Sequence, residues 1–211
     1  MAEAYLRLEK NHAVYLLKPG LCLSLIAPEI LEAPMRDGML QTAYRDEPGL
    51  DDFLRRLTGI QIQRFENMYH KKRVTHVILS YESMKKFIRT GRLTDHFFGM
   101  RPFTAAERRE ILTHCRNQSR DNPYFNIYFL KSDAEHIDRE AACYESSGVL
   151  IHDSGTDYNL TGEHADALIT LEPFTALLTR YFRETLLPLR VHSVSASLSM
   201  LASLIDEIPK E

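Results

Sequence analysis

The chain has 211 residues, of which 44% are hydrophobic and 26% charged, with a formal net charge of −3 from 26 basic and 29 acidic side chains. That length fits one large domain with its own core, and the near balance of charge argues against a free-standing nucleic-acid binder, which needs a basic surface. Three cysteines, Cys22, Cys115 and Cys143, stand far apart without metal-ligand or disulfide spacing, and no apolar run nears the roughly twenty residues of a membrane span. A soluble, cytoplasmic protein is the expectation.

Residues 1–20 read as an N-terminal helix, a possible linker or dimerisation element. Tyr5, Leu8, His12 and Tyr15 or Leu16 fall at helical spacing over Ala2 to Leu17, and Lys18-Pro19-Gly20 ends the run. Residues 21–211 read as one α/β domain with a single mixed β-sheet and flanking helices, two of them closing the chain. Leu21 to Ile26 predicts a buried strand, and one short helix is expected near Glu29 in the passage from Pro28 to Pro48. Asp51 to Leu57 predicts a helix stopped by Gly59, and the alternation in Ile60 to Phe65 (IQIQRF) predicts a half-buried strand.

Val74 to Ser80 predicts a second strand, and the helix after it carries Tyr81, Met84, Phe87 and Ile88 on one face before Thr90-Gly91. Thr104-Ala-Ala-Glu107 is a capping box that opens a helix to about Gln118, with Asn122-Pro123 as the turn beyond it. Phe125 to Leu130 predicts an aromatic strand, and Ser132-Asp-Ala-Glu135 opens a further short helix. Ala142 to Glu145 and Gly148 to His152 predict a hairpin, and Ala167 to Leu171 a last strand. Phe174, Leu177, Leu178, Tyr181 and Phe182 form an amphipathic stripe that Pro188 ends. Leu198, Leu201, Ile205 and Ile208 form another, behind Ser195 or Ser197 as cap.

The chemistry concentrates between Gly91 and Asn126. Arg108 falls in the middle of the apolar face that Ala105, Ile111, Leu112 and Cys115 give the capped helix. A guanidinium turned inward needs a partner. The partner is either a carboxylate of the chain, Asp95 or Glu82, or the carboxylate or phosphate of a ligand held bidentately. Arg92, His96 and Arg101 lie on the preceding loop with Phe97, Phe98 and Phe103, a composition that suits the wall of a small-molecule pocket. Asn122, Tyr124, Asn126 and Tyr128 alternate along the aromatic strand and share one of its faces, where Tyr124 and Asn126 could hydrogen-bond the same ligand.

Motifs that would announce a reaction do not occur. The nine histidines include no HxxxH or HExxH pair, and the chain has neither a GxxxxGK[ST] loop nor a GxGxxG turn. His70-x-Lys72 has a valine, Val77, where a phospholipase D-type motif requires aspartate, and Asp153-Ser154-Gly155 is not a nucleophile elbow. No metal and no cofactor is expected.

Three stretches carry a resemblance of layout: the helix AYLRLEKNHAVYLL, the run GIQIQRF to VTHVILSYESMKKF, and GRLTDHFFGMRPF followed by DNPYFNIYFL. In these the chain resembles the C-terminal effector portion of bacterial helix-turn-helix transcriptional regulators. The resemblance implies a non-catalytic domain that senses a small anionic ligand or a partner and forms a homodimer. DNA would be read only through a domain outside residues 1–211. Two other classes remain open from the residues. One is a hydrolase or transferase in which Arg108 and Arg101 clamp an anion and His96 or His114 moves a proton. The other is a structural dimerisation module.

Overall fold

The computed structural model describes residues 2–18, 20–40, 49–70, 72–93, 100–131, 140–145, 147–152 and 167–209. Three short apolar segments pair in parallel: β1 (Val14–Lys18), β2 (Thr75–Leu79) and β3 (Phe125–Phe129). Beside β1 the sheet continues antiparallel through β4 (Glu140–Cys143), β5 (Val149–His152) and β6 (Ala167–Ile169), giving the order β3-β2-β1-β4-β5-β6. The fold is the expected α/β type with one mixed sheet, and the predicted hairpin is its β4–β5 pair.

Helices α2 (Pro28–Leu40) and α3 (Leu50–Met68) carry the chain from β1 to β2. Helices α4 (Tyr81–Thr90) and α5 (Ala105–Asp121) carry it from β2 to β3. Both crossovers step the same way along the sheet, and crossovers of one hand then lay their helices on one face. That face holds the main core, with Val14, Leu16, Val77, Leu79, Phe125, Ile127 and Phe129 packed under helical residues such as Met68, Met84, Ile111 and Leu112. The opposite face carries a smaller cluster that includes Tyr15, Ile78, Cys143, Val149, Phe182 and Leu186. It is covered by α6 (Glu172–Tyr181) and a π-helical extension over Phe182–Arg190. The last helix, α7 (Val194–Glu207), returns to the main core against α5 and β3.

Edge strand β3 is closed rather than left as a template for other chains. The N–H groups of Ile127 and Phe129 donate to Ser119 Oγ and Ser197 Oγ, each at 3.1 Å. Val191 bridges Leu130, and the His192 N–H donates to the Phe129 carbonyl at 2.8 Å. These bonds explain why Ser119 and Ser197 are buried on otherwise apolar helix faces.

Several sequence expectations need correction. The N-terminal helix α1 ends at Asn11, and the apolar run after it is the sheet strand β1. Residues 1–20 are therefore no separate element, since β1 lies between β2 and β4. An apolar run buried on both faces has no period of its own to separate strand from helix. Leu21 to Ile26 forms a buried 3₁₀ turn over Leu23–Leu25 instead of a strand, and the helix near Glu29 runs thirteen residues with Pro34 inside it.

Gly59 does not end its helix. Helix α3 runs through it, and Ile60 to Phe65 is helical, with Gln61 buried and Ile62 41% exposed, the reverse of the predicted alternation. Helical backbone passes Pro188 to Arg190 through the wider π turn, and α7 is capped by Ser193, whose side chain accepts the Ala196 N–H. The helix expected after Ser132 lies outside the described residues.

Two positions hold this architecture locally. Gly91 ends α4 in the left-handed region at φ 68°, and a Cβ there would strike the carbonyl and amide of Phe103. Helix α1 docks on α3 through Glu9, which is fully buried and accepts Arg64 Nε at 3.0 Å and Nη2 at 2.9 Å. Arg73, buried nearby, donates to the carbonyl of Asn67 and feels the Glu9 charge.

Gly91→Ala is expected to lower stability by about 2 kcal/mol or more, read as a drop in the thermal unfolding midpoint, because strained backbone and a backbone clash add. Glu9→Gln is expected to cost about 3 kcal/mol by leaving a buried cation uncompensated. In a double-mutant cycle, Glu9→Gln with Arg64→Met should cost less than the two single changes together, and additive costs would refute the coupling.

Candidate functional site

Two of the arginines between Gly91 and Asn126, Arg108 and Arg109, are spent on helix ends. Arg108 is buried as predicted, and its partners among the described residues are backbone carbonyls rather than Glu82. Its Nε donates to the Thr104 carbonyl at 3.1 Å and its Nη1 to the carbonyl of Ile88, in the last turn of α4. Glu82 is exposed and paired with Lys85 at 3.0 Å. Arg109 does the same for α7, donating to the carbonyls of Ile205 at 3.1 Å and Ile208 at 2.9 Å.

Arg101 is held between two carboxylates, Asp37 on α2 at 3.0 Å and Glu107 at 2.8 and 2.9 Å. Glu107 is also the capping-box residue at the start of α5, and its hydrogen bonds to Arg101 hold its carboxyl below the usual range. Arg92 is exposed. His96, with Asp95, Phe97 and Phe98, lies outside the described residues.

The residues predicted on β3 fare differently. Burial alternates along the strand, with Phe125, Ile127 and Phe129 inward and Asn126 and Tyr128 half-buried on the other face. Tyr124, just before it, is 40% exposed. Asn122 does not join the row. It is buried at the end of α5, where its amide donates to the Tyr69 carbonyl at 3.1 Å and its Oδ1 accepts the Tyr124 N–H at 3.0 Å.

The strand register extends this face inward from the edge. Asn126 pairs with His76, His76 with Tyr15, and Tyr15 with Cys143. The Tyr15 and His76 rings stack at 5.1 Å with 16° between planes, and Tyr128 Oη lies 3.2 Å from His76 Nδ1 in a hydrogen bond. Tyr15 also meets Phe182 of the π-helical segment at 5.7 Å. From the same segment the exposed Arg183 comes near enough for its charge to be felt at His76 and Tyr15.

The electrostatics of the row are uniform. Burial, helped by the Arg183 charge, pushes the His76 imidazole down to about 4, so it is neutral at physiological pH. Burial pushes the phenols of Tyr128 and Tyr15 up, so both keep their protons, although Arg183 works against the shift at Tyr15. The row is therefore a neutral, hydrogen-bonding and stacking surface, with the Arg183 cation felt at His76 and Tyr15 and the Glu145 carboxylate felt at its covered Tyr15 end.

Elsewhere the cysteine thiols are buried and His114 is packed among aromatic rings. Burial raises the Cys115 thiol to about 12 and also raises Cys143. The His114 ring packs on Phe65 at 5.3 Å and Tyr69 at 5.0 Å, and burial lowers its pKa. It borders a groove of about 800 Å³ along α5 that also meets Arg109, Glu110 and Asn117 but not Arg108.

No protein-family model matches the chain, and neither a curated protein nor a solved structure matches it.

His76, Tyr15 and Arg183 were missed by the sequence reading. The alternation that flagged Asn126 and Tyr128 was equally present in Thr75–Leu79, where His76 shares a face with Ile78. Tyr15 was hidden by its assignment to a helix.

A folded pKa near 4 against 6.5 means that the unfolded chain takes up the His76 proton first as pH falls. His76 should therefore cost nothing above about pH 6.5 and progressively destabilise the fold between about 6.5 and 4, by on the order of 3 kcal/mol. His76→Gln should flatten that part of the stability–pH curve, measured by urea unfolding. Equal slopes in both proteins would rule the assignment out.

Proposed function

We propose that this chain is a non-catalytic, ligand-sensing effector domain, of the kind that bacterial helix-turn-helix regulators carry. Its recognition face for a small anionic ligand is the row Tyr124, Asn126, Tyr128 and His76, backed by the buried Tyr15 ring that stacks on His76, with Arg183 at the margin. One observation carries this reading. Tyr15, His76 and Tyr128 are each biased toward the neutral form, while the nearby Arg183 cation is exposed.

A general acid or base works best with a pKa near the operating pH, and none of these groups is tuned that way. Neutral rings and amides instead fix the orientation of a flat ligand through stacking and hydrogen bonds, and one arginine selects for negative charge. The ligand class that follows is a planar molecule bearing a carboxylate or phosphate.

Arg108 and Arg101 take no part in this proposal, because their donors already serve helix ends and carboxylates. The resemblance supplies the regulatory context, and DNA would be read by a domain outside this chain.

Phenyl phosphate, benzoate, inorganic phosphate and benzyl alcohol are suitable probes in two-dimensional NMR. The two probes that join a ring to an anion should shift the Asn126 side-chain amide and the backbone of β2 and β3. Inorganic phosphate and benzyl alcohol should do so at least tenfold more weakly, a difference of about 1.4 kcal/mol. Arg183→Glu should remove the preference for the anionic probes, and Arg108→Lys should leave it intact. Shifts confined to other faces, or hydrolysis of phenyl phosphate by the protein, would defeat the proposal.

A further inference from the structure

Helix α6 and its π-helical extension carry a second, outward face that the sheet does not use. Thr175, Thr179, Phe182 and Leu186 are buried toward the sheet. Leu177 is 60% exposed, Tyr181 44% and Leu189 61%, on a ridge that also carries the exposed Arg180 and Glu184. The amphipathic stripe read from the sequence grouped Leu177 and Tyr181 with the inward residues. The structure instead leaves them in solvent, because the sheet face is reached by Leu178 and Phe182. Large apolar side chains grouped on one exposed ridge mark an association surface more often than scattered ones do.

We propose that two copies of this chain pair through this ridge, antiparallel, about a two-fold axis passing beside Phe182. The argument is charge complementarity under that symmetry. Arg180 lies two residues before Phe182 and Glu184 two residues after it. An antiparallel two-fold pairing therefore sets Arg180 of each subunit against Glu184 of the other, forming two equivalent ion pairs from one cation and one anion.

Among the described residues, neither Arg180 nor Glu184 makes an ion pair within its own chain. The same operation brings Leu177 toward Pro188 and Leu189 of the partner subunit, both exposed, so apolar contacts flank the charged pairs. A ridge with one charge of each sign is complementary to itself, whereas an anionic membrane surface or an acidic peptide would be served by basic residues alone.

The test is sedimentation equilibrium on the full chain and on charge-reversed variants at surface positions, with circular dichroism and thermal unfolding confirming that each is folded. The unaltered chain should be dimeric. Arg180→Glu alone and Glu184→Arg alone should each weaken self-association by at least about tenfold, since each places like charges opposite one another. Mixing these two variants should give a heterodimer, and the double variant Arg180→Glu, Glu184→Arg should recover the dimer. A monomeric unaltered chain at millimolar concentration overturns the proposal. So does a dimer indifferent to both single reversals, or a mixture that fails to associate.

Discussion

Helix ends that terminate inside a protein leave carbonyls without partners, and this fold meets that demand with arginine. Arg108 reaches the last turn of α4, Arg109 the last turn of α7 and the residue beyond it, and both start from α5. Cations there also oppose the negative end of the helix dipole. Helix α5 is thus a spine to which two other helices are tied at their C-terminal ends. Its own start is fixed by the Thr104–Glu107 capping box and by Arg101, which joins that box to Asp37 of α2. The packing of α2, α4 and α7 around α5 depends on these charge-assisted bonds, because an inward guanidinium without them would not be tolerated. Three of the arginines that look like an anion-binding surface in the sequence, Arg101, Arg108 and Arg109, instead serve helix termini.

Short-range chemistry was the legible part of the fold. The capping box at Thr104, the left-handed Gly91, the strands Thr75–Leu79 and Phe125–Phe129 and the β4–β5 hairpin follow from residue types within a few positions of one another. Three of the errors share one cause. Ala13 to Leu17, Leu21 to Ile26 and Ile60 to Phe65 are short apolar or alternating runs whose conformation is decided by what covers them. Val14 and Leu16 are taken by the main core while Tyr15 is taken by the second face, which makes that run a central strand. Gln61 and Ile62 show the converse, with tertiary packing overriding a two-residue period and carrying a helix through Gly59.

The candidate site was half legible for the same reason. Tyr124 and Asn126 could be picked out because strand alternation is a local rule. Their neighbours across the sheet, His76 and Tyr15, depend on register, which pairs residues 126, 76 and 15. Arg183 depends on α6 folding back over the second face after six strands are in place. Burial also decides the chemistry here. His76 is a potential proton carrier by residue type, and only its half-buried stack against Tyr15 turns it into a neutral hydrogen-bonding group.

The topology also explains why recognition would fall on this face. Two crossovers in one direction put α2 to α5 on the same side of β1, β2 and β3, so among the described residues the other side is covered by the helix that follows β6 and its π-helical extension. That helix reaches Tyr15, Cys143 and Val149 but leaves Asn126 and Tyr128 half-buried toward the β3 edge. The row therefore runs from covered to open, and Arg183 stands at the boundary. Because the same segment shows Leu177 and Tyr181 to solvent, any shift of α6 that moves Arg183 over the row also moves the outward ridge. A ligand held at one side and a second copy held at the other would then act on a single element. Their affinities would be linked by however much each favours one position of it.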